Sequence, residues 1–375
     1  MRSRRGFGLY SLHPALASVF LAVLLANAPS LACGDSIAFG GEIQQGLSGA
    51  VRFTEGASTA LGAATSIRFR FRSDNESVTI RASGKLSLLY GNDAKNLWVL
   101  VSLNPSRSIG SFMNPAYSPS ASTPEFITMM SISELSLTWS NANLLFEAGL
   151  AKTNWGLGKA FSPSDFFADF DYSSGTPERK PRLLAQASWF PNATTRLDFV
   201  ADPTSQDGAT LASRLYGLMF GTLAGGASVG IRAAADADPI RLLAACELIF
   251  DLPYLSPYGE LRAVIPLDGT KLPSISALGG MTTRVGNAVI VGEYLYAQNE
   301  TIQHKFFALA SMSINEWTSL SLPAYYFPET SAFTSGIVLT LNDLAGITLS
   351  LSGSLAKSPS DPWTGALGLM AGTAF

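Results

Sequence analysis

Residues 67–72 read Ile67-Arg68-Phe69-Arg70-Phe71-Arg72. Large apolar and cationic side chains alternate with a period of two. A helix would wind them around its whole surface, whereas a strand sends them to opposite faces. A polar turn, Ser73-Asp74-Asn75-Glu76, follows. The rhythm then resumes, with Val78, Ile80, Leu86 and Leu88 against Thr79, Arg81, Ser83, Lys85 and Ser87. Upstream, Ile37, Phe39, Ile43, Leu47, Val51 and Phe53 share one parity, and Glu42, Gln44, Ser48 and Arg52 share the other. Near the far end, Ile347, Leu349 and Leu351 alternate with Thr348, Ser350 and Ser352.

Nineteen segments carry this signal, from 36–53 and 60–72 through 96–103 to 363–375. Most have the length of about 9–11 residues that crosses a bilayer when tilted, or slightly more. Turn residues separate them, among them Asn141-Ala142-Asn143, Pro191-Asn192, Asp268-Gly269, Gly286-Asn287 and Asn342-Asp343. The uncharged run from Leu215 to Ile231 competes as a helix. Its five glycines favour two strands joined at Gly225-Gly226.

The chain has 375 residues, of which 47% are hydrophobic and only 14% charged. A soluble domain carries about 25% charged residues. Disorder is excluded, because it needs high charge and few apolar residues. A net charge of −3 leaves no general basic excess for nucleic acid. Many half-apolar strands in a charge-poor chain would leave a soluble sheet badly solvated. In a bilayer, every backbone N–H and C=O must be satisfied internally, and a closed barrel does this. The reading is an all-β, transmembrane, antiparallel up-and-down β-barrel. A periplasmic N-terminus requires an even strand number, so one of the nineteen segments lies outside the wall. Eighteen strands are expected, with 16 as the alternative.

The N-terminus reads as an export signal over residues 1–32. Arg2, Arg4 and Arg5 precede an apolar run from Ala15 to Leu25, too short for a transmembrane helix. Ser30-Leu31-Ala32 offers a cleavage site, leaving 33–375 as one barrel domain. Cys33 then stands where a lipid could attach, although Ser30 replaces the usual aliphatic residue. Cys246 is the second cysteine; a disulfide with Cys33 and a small apolar residue in a strand are both open readings.

Counting back from the last strand, the connections at 141–142, 191–193, 222–225, 251–256, 284–286, 314–316 and 342–344 all fall at one end and are short. The longest, 104–126 and 154–181, fall at the other. Outer-membrane barrels show this asymmetry, with short periplasmic turns and long outer loops. Trp98, Trp139, Trp189, Tyr216, Trp317, Tyr325, Tyr326 and Trp363 lie near strand ends, as interfacial girdles would.

Two stretches carry a resemblance. The last strand ends on Phe375 with Leu367 and Leu369 on the same parity; it resembles the C-terminal assembly signal of bacterial outer-membrane barrels. That implies the barrel-assembly machinery as a partner. Residues 149–172 contain Gly149, Trp155-Gly156, Gly158 and Ser162-Pro163-Ser164-Asp165. This resembles the Gly…Trp-Gly-x-Gly…Pro-x-Asp stretch after a barrel strand in several families of large Gram-negative outer-membrane proteins, spirochaetal ones among them. The resemblance implies a porin-like role and brings no catalytic residues. Physically, Gly156 and Gly158 permit tight turns, Pro163 stops the strand and Asp165 caps the next turn. Two placements remain open. The stretch shapes a turn at the rim, or it folds inward and narrows the pore. In the second case Asp165, Asp169 and Asp171 line the constriction with Phe166, Phe167, Phe170 and Tyr172.

Arg52, Arg68, Arg70, Arg72, Arg81 and Lys85 fall on the parity opposite to the apolar one. Facing lipid near the midplane, such charges would cost about 2–4 kcal/mol each, so they are expected to line the pore. Glu42 and an infolded acidic loop are their candidate partners. A basic wall opposite an acidic loop would sort polar solutes by charge. A purely structural ladder of ion pairs is the competing reading.

Catalysis has little support. With the signal removed, His304 is the only histidine, in Gln303-His304-Lys305-Phe306 near a loop. No zinc cluster, calcium loop or phosphate-binding Gly-rich unit appears, so no metal or cofactor is expected. No plug domain is read before the first strand. The expected function is passive diffusion of small polar solutes across the outer membrane, with lipid as the surrounding partner. A surface adhesin acting through 104–126 and 154–181 is the rival, and a lipid-acting enzyme the third reading. A homo-oligomer is an open reading.

Overall fold

The computed structural model describes residues 36–52, 58–95, 111–116, 124–152, 155–167, 170–171, 178–203, 215–224, 226–237, 240–267, 269, 272–299, 301–344, 346–358 and 362–374. The export signal, Cys33, Trp98, Asp169, Tyr172 and Phe375 lie outside them.

The first strands are β1 (Ser36–Arg52), β2 (Ser58–Asp74), β3 (Val78–Gly91), β4 (Ser111–Ala116), β5 (Phe126–Ser140) and β6 (Leu144–Ala151). Two short strands follow, β7 (Phe170–Asp171) and β8 (Glu178–Arg179), then β9 (Arg182–Asn192), β10 (Thr195–Asp202) and β11 (Leu215–Ala224). Next come β12 (Ala227–Ala237), β13 (Ile240–Phe250), β14 (Leu255–Pro266), β15 (Ser274–Val285) and β16 (Ala288–Gln298). The chain continues through β17 (Ile302–Ser313), β18 (Thr318–Phe327), β19 (Ala332–Leu344), β20 (Ile347–Lys357) and β21 (Thr364–Ala374). All but β4, β7 and β8 form one antiparallel wall. It closes because β1 pairs with β2 on one side and with β21 on the other. Closure leaves no open sheet edge, the condition for a sheet to cross lipid.

The wall has 18 strands. The expected segment 96–103 lies outside the described residues; β3 pairs directly with β5, Val78 opposite Trp139 and Tyr90 opposite Phe126, which leaves no place in the wall between them. The interval 104–126, expected as loop, contains β4. The reason is local. β6 pairs with β5 only over Leu135–Ser140, so the upper part of β5 would present an unpaired edge. β4 covers it from Phe126 to Ser131. Residues 215–231 form β11 and β12, turning at Gly226 with φ +83°.

One turn chemistry recurs at the rim that carries both termini. Asn75 Oδ1 accepts from the N–H groups of Ser77 and Val78. Asn141 Oδ1 accepts from those of Asn143 and Leu144. Asn192 serves Thr194, and Asn315 serves Trp317. An Asn side chain thus mimics the missing backbone acceptor in a tight connection.

The two faces of the wall differ as the alternation requires. Leu61, Ile67, Leu218, Ile231, Leu242, Leu261, Ile275, Ile337, Leu351 and Leu367 are exposed on the outside. So is Cys246 on β13. An exposed apolar surface of this extent is not a water-facing one. Trp139, Trp189 and Trp317 mark its lower border and Tyr216, Tyr326 and Trp363 its upper border, all exposed. Tyr325 departs from the expected girdle. Its parity is inward, and it is buried. Among the described residues no helix is long and apolar enough to cross a membrane; the chain crosses with strands.

Candidate functional site

Most charged side chains on the inner face are paired. Arg68 lies opposite Glu42 at 3.9 Å, and Arg81 reaches Glu134 at 4.0 Å. Arg72 pairs with Asp74 at 2.5 Å. The registers Arg68 opposite Lys85, Arg70 opposite Ser83 and Arg72 opposite Arg81 bring five cations onto one inner patch of β2 and β3. Arg70 has no ion-pair partner among the described residues. Arg52 is the last residue of β1. On the other side, ion pairs join Arg182 to Asp202, Arg196 to Asp198 and Arg241 to Asp236, each at 2.7 Å. Arg232 pairs with Glu247.

The segment 155–167 is folded into the barrel. Near the end of β6, Gly149 has φ +131°; a Cβ there would lie 2.1 Å from the Leu135 carbonyl oxygen. Gly156 has φ +92°, and its Cβ would lie 1.9 Å from Ser162 Oγ. A Cβ on Gly158 would lie 1.6 Å from the Phe161 carbonyl oxygen. These glycines let the chain coil tightly against itself.

Apolar side chains anchor the segment at two places. Trp155, Phe166 and Phe167 pack with Leu184, Val200, Leu215, Ala234 and Leu243 on the inner wall of β9–β13. The Trp155 and Phe167 rings meet edge to face at 5.0 Å. Ala160 and Phe161 pack with Tyr258, Leu278, Val291, Phe307 and Tyr325 on β14–β18. Full burial stabilises each large side chain by about 1.5–3 kcal/mol.

Between these anchors, two buried carboxylates receive the backbone of the segment. Glu260 of β14 accepts from the N–H groups of Leu157 (2.5 Å), Gly158 (2.7 Å) and Ser164 (2.9 Å), and from Ser164 Oγ (2.8 Å). Ser162 Oγ lies 3.3 Å from both of its oxygens. Glu293 of β16 accepts from the N–H groups of Lys159, Ala160 (2.9 Å) and Phe161 (3.0 Å) and from Tyr258 OH (2.6 Å). Only 3% of Glu260 and 4% of Glu293 is exposed. Successive N–H groups turned to one side form an anion-binding concavity; here the anion is the barrel wall itself. Glu293 is the sixth of the 11 residues of β16, so the segment sits halfway down the strand. Arg232 of β12 adds a hydrogen bond to Ser164 Oγ and lies over the Trp155 ring at 5.8 Å.

The expected site residues therefore separate. Asp165 is buried and pairs with Arg179, which also donates to the Trp155 carbonyl oxygen at 3.0 Å. Phe166 and Phe167 face the wall as anchors, and Pro163 is buried. The picture of an acidic loop facing the β2–β3 cations is corrected at Asp165: Arg179 lies on the same excursion and takes the carboxylate first. Phe170 and Asp171 belong to β7, which pairs with β8. Sequence reasoning missed Glu260, Glu293, Arg232 and Tyr258. For Glu260, Glu293 and Arg232 the signal was present: charged residues in mid-strand, on the inner parity, in a charge-poor chain. Among the described residues, no group of three His, Cys, Asp or Glu side chains could hold a metal ion.

The fold has solved counterparts. Acinetobacter baumannii OccAB4 superposes with a TM-score of 0.57 at 7% identity, over 90% of this chain and 98% of that one. Pseudomonas aeruginosa OccK7 (OpdD) gives 0.59 at 10% identity, over 91% and 99%. The outer membrane protein OpdK from Pseudomonas aeruginosa gives 0.56 at 6%, over 90% and 98%. The fold is that of an outer-membrane barrel. These organisms are not spirochaetes, and at such identities the likeness extends to the fold alone. No protein-family model matches the chain, nor does any curated protein.

Proposed function

We propose that the chain is a passive outer-membrane channel for small polar solutes. One observation carries this reading: an apolar exterior encloses a charged interior, with segment 155–167 seated against one side of it. The remaining bore then runs along the inner faces of β19–β21 and β1–β3. The cations of β2 and β3 line it, with Arg52 near its mouth, and favour anions. Of the five cations there, Arg68, Arg72 and Arg81 pair with Glu42, Asp74 and Glu134, and Asp93 accepts from Ser48 on β1 at 2.7 Å. The fold shared with OpdK, an outer membrane protein, supports the location. Purified, refolded protein in planar bilayers should show discrete conductance steps. A silent bilayer would favour the surface-adhesin reading.

In this reading the protein has no enzymatic role. His304 Nδ1 meets Tyr294 OH at 2.7 Å, and the two rings stack at 5.9 Å on the outer face. That suits an interfacial residue. Equal lipase activity in wild type and His304→Ala would exclude His304 as a catalyst. The C-terminal strand, ending on Phe375, is taken as the assembly signal read by the barrel-assembly machinery.

A further inference from the structure

We propose that Glu260 and Glu293 set the width of the channel, acting as a two-point latch that keeps segment 155–167 against the wall. The proposal rests on the channel reading. Wall and loop meet through two kinds of contact, and they differ in character. The apolar anchors lie at Trp155, Phe166 and Phe167, and at Ala160 and Phe161. They attract without direction. The carboxylates are directional. Between them they take the N–H groups of Leu157, Gly158, Lys159, Ala160, Phe161 and Ser164.

The donors to Glu293 are all uncharged: three backbone N–H groups and Tyr258 OH. No arginine competes for that carboxylate among these contacts, so its acceptor capacity is spent on the loop and on the tyrosine that supports it. An ionised carboxylate offers acceptors only, which matches a ring of donors. Glutamine keeps the shape but replaces one oxygen by a donor. With the amide nitrogen in place of one oxygen, the Lys159 N–H would face it while Tyr258 OH could turn to accept; in place of the other, the N–H groups of Ala160 and Phe161 would both face it. Buried donor against donor is a cost that leaving the seat relieves. Glu→Gln is therefore a near-isosteric way to open the latch, and it leaves the apolar anchors in place.

The orientation of Lys159 supplies an independent readout. Its N–H is held by Glu293, while the residue is exposed. A seated segment presents this lysine in a tight, hydrogen-bonded backbone that a protease cannot extend. A released one makes it a trypsin site.

The test uses the full refolded barrel as wild type, Glu293→Gln and Glu260→Gln/Glu293→Gln. Heat-modifiable gel migration shows which are folded. In planar bilayers the double variant should conduct at least about twofold more than wild type, because the bore widens where the segment withdraws. Trypsin should cut after Lys159 in the double variant and spare wild type. If the double variant does not fold, the single variant is held to the same two readouts in smaller measure. Unchanged conductance together with an uncut segment in a folded variant overturns the latch. A wild type that forms no channels overturns the channel reading instead. The cleavage arm still judges the latch then: cleavage confined to the variants supports it, and equal protection sinks it.

Discussion

At the scale of single residues, a buried charge here does not require an opposite charge. Glu293 is held by dipoles, whereas Glu247 is paired with Arg232. The two solutions have different consequences. The ion pair joins two wall strands and touches the loop only through Arg232; the dipole-bound carboxylate holds three of the loop's N–H groups. Gly156 makes the second possible, since its φ of +92° and the proximity of Ser162 exclude a side chain. Gly156→Ala should cost about 1–3 kcal/mol of local strain and raise trypsin cleavage after Lys159 while the barrel stays heat-modifiable. On the opposite wall, replacing Arg68, Arg70 and Arg72 by glutamine should lower the anion/cation permeability ratio in planar bilayers. An unchanged reversal potential would remove these residues from the selectivity argument. The glycines, Trp155 and the arginines were legible because each breaks or carries a local pattern. Glu260 and Glu293 were not legible as partners of the loop. Their ligands are backbone N–H groups 102 and 133 residues upstream, and backbone groups carry no sequence signature.

At the scale of elements, strands and turns were read almost entirely from alternation and turn chemistry. Eighteen of the nineteen expected segments overlap a wall strand, because lipid and water impose opposite demands on adjacent residues. The surplus segment at 96–103 has the same rhythm, but β3 and β5 already satisfy each other. Pattern can say that a segment suits a sheet, yet not whether the sheet has a vacancy. The Asn turns allow a direct test. Asn141→Ala removes the acceptor for two N–H groups. It should lower stability to urea by about 1–2 kcal/mol and leave channel conductance unchanged, since the turn lies at the rim away from segment 155–167.

For the whole molecule, the two faces of the wall predict opposite tolerances at adjacent positions. Leu351 is 52% exposed on the outside of β20, while its neighbour Ser350 approaches Thr340 on the inside. Leu351→Arg should destabilise the barrel in vesicles by about 2–4 kcal/mol. Ser350→Arg should fold normally and alter ion selectivity. Equal losses at both positions would contradict the assignment of faces. The seam between β1 and β21 has a temporal meaning as well. Glu42 is opposite Ala374, so one flank of the earliest strand stays unsatisfied until the very end of the chain has arrived. Contacts this remote in sequence form late and slowly. Until then the growing sheet has two sticky borders, and any incomplete chain retains them permanently. The final strand is thus the step at which an aggregation-prone intermediate becomes a membrane protein.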